Sequence, residues 1–170
     1  FSEIRNCQVD LLSFNRDILR PEHKRAVLNE LKIKLGDNGK IKCLLHSVAK
    51  GNLKPMTEEG SNSLMVLDFD ITIQAMALSL YDWFKSLFDE QFLAKDSRII
   101  SFTSEGGRRP LKNYAAVSSA KASLEAITRN IALEFAPFGI RANCIQAGVT
   151  DTMSLRMIPG SDQIKKHAVM

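Results

Sequence analysis

No Gly-x-Gly-x-x-Gly occurs anywhere in the 170 residues, so the turn that seats a dinucleotide pyrophosphate on a helix N-terminus is missing. The nearest candidate, Gly36-Asp37-Asn38-Gly39, follows a helical pattern and precedes a strand pattern. That order is the reverse of a phosphate loop and reads as a helix C-cap and turn. Cysteine is scarce: Cys7, Cys43 and Cys144 lie far apart with no Cys-x-x-Cys. An odd count at such spacing argues against a disulfide framework and against zinc, and fits a reducing cytoplasm. No metal site is expected. No apolar run approaches about 18 residues and no signal-peptide pattern opens the chain, so no membrane span or export is indicated. Lys and Arg exceed Asp and Glu by only 23 to 19. The excess is spread along the chain with no basic stripe among aromatics, which speaks against nucleic acid as a partner.

What is present alternates. Strand patterns cover 4–11, 41–48, 98–103 and 140–146. Helical patterns cover 21–35, 71–89, a long run from 114 to Pro137, and 161–169. Pro21 suits a first helical turn, and Val27, Leu28, Leu31 and Leu35 form an apolar stripe behind it. Met76, Leu80, Trp83, Phe84 and Phe88 give the second helix a broad apolar face. Polar loops run over 50–63 and 104–112. Strands alternating with helices of this length predict an α/β fold, a doubly wound parallel sheet of Rossmann-like type in one domain, 1–170.

Tyr114 and Lys121 stand seven residues apart in the long helical run. Seven residues is close to two turns, so both side chains leave one face about 10 Å apart along the axis. An ammonium near a phenol favours the tyrosinate and lowers the phenol's pKa. The pair is suited to donate a proton to an oxygen that gains negative charge. The plainer reading makes Tyr114 an amphipathic helix-start residue and Lys121 a solvated one.

The flanks decide between these readings. Arg98-Ile99-Ile100-Ser101-Phe102-Thr103 precedes the helix, and Ile140-Arg141-Ala142-Asn143-Cys144-Ile145-Gln146-Ala147-Gly148 follows it. Strand, long helix and strand make a βαβ unit. With these residues the chain resembles the short-chain dehydrogenases/reductases, and among them the enoyl-[acyl-carrier-protein] reductases. Common members of the superfamily separate Tyr and Lys by three residues, enoyl reductases by six, as here. The position of the common tyrosine is Val117. Val9-Asp10-Leu11 is similar to the family's third-strand end. Leu44-Leu45-His46-Ser47-Val48-Ala49 is similar to its fourth-strand end, and Ala147-Gly148-Val149-Thr150-Asp151-Thr152 to the loop after its sixth strand. Asn113 before Tyr114 also suits the family. Many enoyl reductases carry a second tyrosine ten residues earlier, where this chain has Ser104.

The resemblance implies hydride transfer from NADH or NADPH to a trans-2-enoyl thioester, as in fatty acid elongation. Tyr114 would stabilise the oxyanion, with Ser104 or Ser101 as a further donor; Ser101 holds the position of the carbonyl-polarising serine of ordinary short-chain reductases. Lys121 would hold the nicotinamide ribose. Asp10 and Leu11 would border the adenine, Ser47 and Val48 the nicotinamide side, and Gly148, Thr150 and Thr152 would wrap the carboxamide. Met153, Leu155, Met157 and Ile158 would close as an apolar lid. The partners implied are an acyl-carrier-protein or coenzyme A thioester and further copies of the chain, as a homodimer or homotetramer. The mild basic balance suits an acidic carrier. The pairing surface would be the small-residue face Ala115, Ser119, Ala122, Ser123, Ala126 and Asn130. His46 is expected to be structural, and Arg108 and Arg109 solvated. Against the family pattern, the chain reads as the interior of a longer protein, lacking the first strand, glycine loop and last strand. The alternatives are a 3-oxoacyl or other carbonyl reductase, and a non-catalytic fragment that keeps only association surfaces.

Overall fold

Among the described residues three strands run parallel in the order β1 (Ile41–His46), β2 (Leu93–Thr103) and β3 (Arg141–Gln146). The computed structural model describes residues 9–58, 60–156, 158 and 161. Helix α1 (Pro21–Leu35) precedes β1. Between β1 and β2 the chain forms α2 (Val66–Ile73), a π-helical segment (Gln74–Leu78) and α3 (Ser79–Asp89). Between β2 and β3 it forms α4 (Ala115–Glu134), and a single turn, α5 (Met153–Arg156), follows β3. This is the Rossmann-like arrangement expected from the alternation. Among the described residues no helix is long and apolar enough to cross a membrane.

Helix α1 matches its predicted span, with Pro21 in the first turn and Gly36 at the C-cap with φ 57°. Helix α2 starts five residues before the predicted 71 because Asp68 closes its N-terminus: the carboxylate accepts from the Met65 N–H at 2.9 Å. Strand β2 starts five residues before the predicted 98. Its pairing is irregular there, stepping from Ile41↔Leu93 to Cys43↔Arg98, and such a bulge has no period-2 signature. The strand predicted over 4–11 is absent from its described part, 9–11. Among the described residues no neighbouring strand pairs with it, and Val9 is exposed. The remainder of that predicted strand, Cys7, Met157 and residues 162–169 of the last predicted helix lie outside the described residues.

The core forms where α3 and α4 meet the sheet: Ala77, Leu80, Phe84, Ile99, Leu124, Ile131, Ile140 and Ala142. Phe135 packs edge-on against Phe84 and Phe88, centroids 4.7 and 4.8 Å apart. A second cluster of Ala75, Met76, Tyr114, Val117 and Ala120 ties the start of α4 to the π-helical segment. Alternation along β2 buries Ser97, Ile99 and Ser101 and leaves Ile100 and Phe102 half-buried. That alternation fixes which side chains at the end of β2 can reach α4.

Candidate active site

Parallel α/β sheets gather ligands at the C-terminal ends of their strands, and here β2 ends at Thr103 with the long helix following. Ser104 continues in extended conformation and a single 3₁₀ turn, Glu105–Gly107, bends the chain back. Asn113 takes a left-handed conformation, φ 59°, which asparagine tolerates better than most residues. Tyr114 then caps α4 with φ −116° and ψ 6°. The phenol therefore leaves the helix cap rather than the helix interior, a correction to the two-turn picture.

Tyr114 is 8% exposed and Lys121 7% exposed, so neither is the solvated residue of the plainer reading. The Tyr114 ring lies against the backbone of Gly106. A Cβ at that glycine would come within 2.5 Å of ring atom Cε1, so only glycine admits the ring there. The Tyr114 hydroxyl is 3.5 Å from Ser104 Oγ, at the outer limit of a hydrogen bond. Lys121 Nζ donates to the Phe102 carbonyl at 2.6 Å. Burial lowers the Lys121 pKa, with the neighbouring Cys144 acting in the opposite sense.

The two candidate serines separate. Ser101 Oγ lies 3.2 Å from Thr128 Oγ1 and 3.0 Å from Cys144 Sγ, and the residue is fully buried. It bridges β2, β3 and α4 inside the core, whereas Ser104 stands beside the phenol.

His46, the last residue of β1, is buried and lies 2.8 Å from Ser79 Oγ. The Ser79 hydroxyl donates to the Ala75 carbonyl at 2.7 Å within the π-helical segment. Ser79 must therefore accept from His46 Nε2–H, which fixes the neutral tautomer. Burial, and secondarily the Lys121 charge, lowers the His46 pKa from 6.5 to about 4. The structural role expected for His46 agrees with this geometry.

The remaining candidates are more dispersed. Ser47 and Val48 follow directly on β1, the first exposed and the second half-buried. Gly148, Thr150 and Thr152 lie in the exposed loop after β3. There Thr150 Oγ1 donates to the Gly148 carbonyl at 3.2 Å, and Thr152 Oγ1 accepts from the Leu155 N–H at 3.2 Å. Asp10 is exposed and paired with Lys34, and Leu11 is half-buried. Ile158 packs on the Tyr114 cluster with Leu19 and Leu53, while Met153 is exposed.

The sequence reading missed Glu125 and Thr103. Glu125 is buried, accepts from Thr103 Oγ1 at 2.7 Å and is paired with Arg108 at 3.2 Å. The hydrogen bond from Thr103, then Arg108, holds its pKa below the usual carboxylate value. Its spacing, four residues beyond Lys121, was the available signal. Arg108 and Arg109 are exposed as expected, but both are paired, the latter with Glu105 at 2.8 Å.

A family model described as Enoyl-(Acyl carrier protein) reductase matches residues 3–170. The chain is similar to the enoyl-[acyl-carrier-protein] reductase [NADPH] FabI of Staphylococcus aureus, 29% identical over 134 residues, 77% of this chain and 50% of the relative. It is 31% identical over 133 residues to the [NADH] FabI of Enterococcus faecalis, 74% of this chain and 49% of the relative. The chain spans about half the length of these curated relatives. Among solved structures, the Bacillus cereus enoyl-acyl carrier protein reductase, solved with NADP+ and indole naphthyridinone, superposes with a TM-score of 0.79 at 25% identity. That match covers 97% of this chain and 63% of that one.

Proposed function

The chain belongs to the enoyl-(acyl carrier protein) reductase family, within the short-chain dehydrogenases/reductases, and on that premise we propose that its protein reduces the double bond of a trans-2-enoyl thioester. The thioester is carried on an acyl carrier protein or coenzyme A, the reductant is NADPH or NADH, and the setting is fatty acid elongation in the cytoplasm. The observation that carries the reading is the meeting of the Tyr114 and Ser104 hydroxyls, 3.5 Å apart, at the end of β2, with the buried Lys121 on the same helix.

The residues present fit the nicotinamide end of such a cofactor. The Lys121 ammonium is buried, and among the described residues its one hydrogen bond goes to a backbone carbonyl. Two of its three donor hydrogens are therefore available for ribose hydroxyls. Ser47 and Val48 would line one side of the nicotinamide, and Gly148, Thr150 and Thr152 the carboxamide. Asp10 and Leu11 would reach the adenine. When bound, the cofactor supplies a hydride to Cβ of the enoyl group. Negative charge then builds on the thioester oxygen. Tyr114 donates a hydrogen bond to that oxygen, strengthening as the charge grows. Ser104 is the second donor, and Tyr114 or solvent protonates Cα. Leu155 and Ile158, both half-buried, supply apolar cover for the acyl chain.

The carbonyl-reductase alternative needs a tyrosine where this chain has Val117, which is buried in the Tyr114 cluster. NADPH and NADH oxidation by the protein with crotonyl- and acetoacetyl-thioesters tests the choice. Turnover of the enoyl substrate alone is expected; preference for the ketone would overturn the reading.

A further inference from the structure

Helix α4 presents Tyr114, Lys121 and Glu125 to the segment that leaves β2. A lysine and a glutamate four residues apart on a helix are ordinarily within pairing reach. Lys121 and Glu125 also border one glycine: a Cβ at Gly107 would lie 3.2 Å from Lys121 Cβ and 3.4 Å from Glu125 Oε1. Yet the two do not pair. Lys121 turns to the Phe102 carbonyl. Glu125 Oε1 accepts from Thr103, and Oε2 from Arg108, with Nε at 3.4 Å and the terminal nitrogen at 3.2 Å. Arg129 stands at 3.8 Å from the same oxygen, the edge of ion-pair range.

We propose that Glu125 is a positioning residue of the site, and that Arg108 is the counter-ion that keeps its carboxylate away from the Lys121 ammonium. The role in turnover rests on the reading of Lys121 as the group that holds the cofactor; the charge coupling itself does not. Thr103 directly precedes Ser104, and Arg108 closes the turn over Gly106 and Gly107. One carboxylate thus pins both ends of the segment that faces the phenol. It also decides what Lys121 is free to do. A lysine paired with a buried carboxylate has its charge compensated and its donors directed inward. With Glu125 held by Arg108, burial and then the neighbouring Cys144 are what act on the Lys121 charge. No carboxylate forms an ion pair with it among the described residues. The Arg108 side chain is 71% exposed and that of Glu125 8%, so the arginine can be removed without opening the core.

The test is a cycle of Arg108→Ala, Glu125→Gln and the double variant in the protein. Gln keeps an acceptor for Thr103 but carries no charge. The Lys121 Hε–Cε signal is titrated by NMR in protein carrying ¹³C-lysine and assigned by its loss in Lys121→Met. Arg108→Ala frees the carboxylate to face Lys121, and the acid dissociation constant of Lys121 falls about threefold or more. The double variant returns to at least the wild-type value. NADPH affinity, followed by fluorescence, falls and recovers in parallel. An unchanged Lys121 titration in Arg108→Ala overturns the proposal, as does a change that Glu125→Gln fails to reverse. If the titrations behave as expected but the wild type binds neither NADPH nor NADH, the coupling stands and the functional reading fails.

Discussion

The Tyr114 hydroxyl stands 3.5 Å from Ser104 Oγ, while Ser101, on the same strand, is sealed between Thr128 and Cys144. A residue at the end of β2 can reach the site; one three positions earlier, on the buried face, cannot. Replacing Tyr114 by Phe keeps the ring that fills the space beside Gly106 and removes only the donor. Turnover of the enoyl thioester is expected to fall about 10²-fold or more, with cofactor affinity nearly unchanged. Steady-state kinetics and a cofactor titration check both halves.

The two serines should fail differently. Ser104→Ala is expected to lower turnover with little change in thermal stability. Ser101→Ala is expected to cost about 1 kcal/mol of stability, because it breaks a buried hydroxyl bridge, with smaller effect on the chemistry of the folded protein. Denaturant unfolding beside kinetics separates them. Equal loss of turnover in both would remove Ser104 from the site.

Lys121→Ala should weaken NADPH or NADH binding together with turnover. Its ammonium is proposed to hold the cofactor ribose, and its Phe102 hydrogen bond is also lost. Binding isotherms for wild type and variant that coincide would rule out that assignment.

His46 gives the fold a pH dependence whose sign is fixed. Its folded pKa, about 4, lies below the unfolded 6.5, so the unfolded chain binds more protons between these values. The stability that neutral His46 contributes is complete above about pH 6.5 and is lost as pH falls toward 4. His46→Gln, which can still donate to Ser79, should flatten the fall in melting temperature between pH 7 and pH 5. An undiminished slope in the variant would place the proton uptake elsewhere.

Association is expected on the outer side of α2 and α4. Ala122 and Asn130 are exposed, and Leu67 and Ile71 expose large apolar surface on α2, the helix that packs on α4. Small residues let helices approach at the short end of the about 8–10 Å range, and a second copy would cover both faces. Ala122→Arg and Ala126→Arg should shift the protein toward monomer in sedimentation velocity. Sedimentation like that of the wild type in both variants would move the interface elsewhere.

Local sequence determined the parts whose physics is local. Pro21 and Gly36 mark the ends of α1, and an uninterrupted run of helix formers marks α4. The parallel strands followed from alternation with helices, and the Tyr114–Lys121 spacing singled out the candidate pair. Tertiary contacts decided the rest. The start of β2 at Leu93 depends on pairing across a bulge with β1. The start of α3, where it leaves the π-helical segment, is tied to β1 by His46, 33 residues away in sequence, bonding Ser79. Sequence placed Ser101 and Ser104 on equal terms; the packing of β2 against α4 buried one and left the other beside the phenol. Glu125 is one more charge on a helix in the sequence; only the fold closes Thr103 and Arg108 around it. A carboxylate's partners are set by what folds against it, and one chain's residue order does not state that.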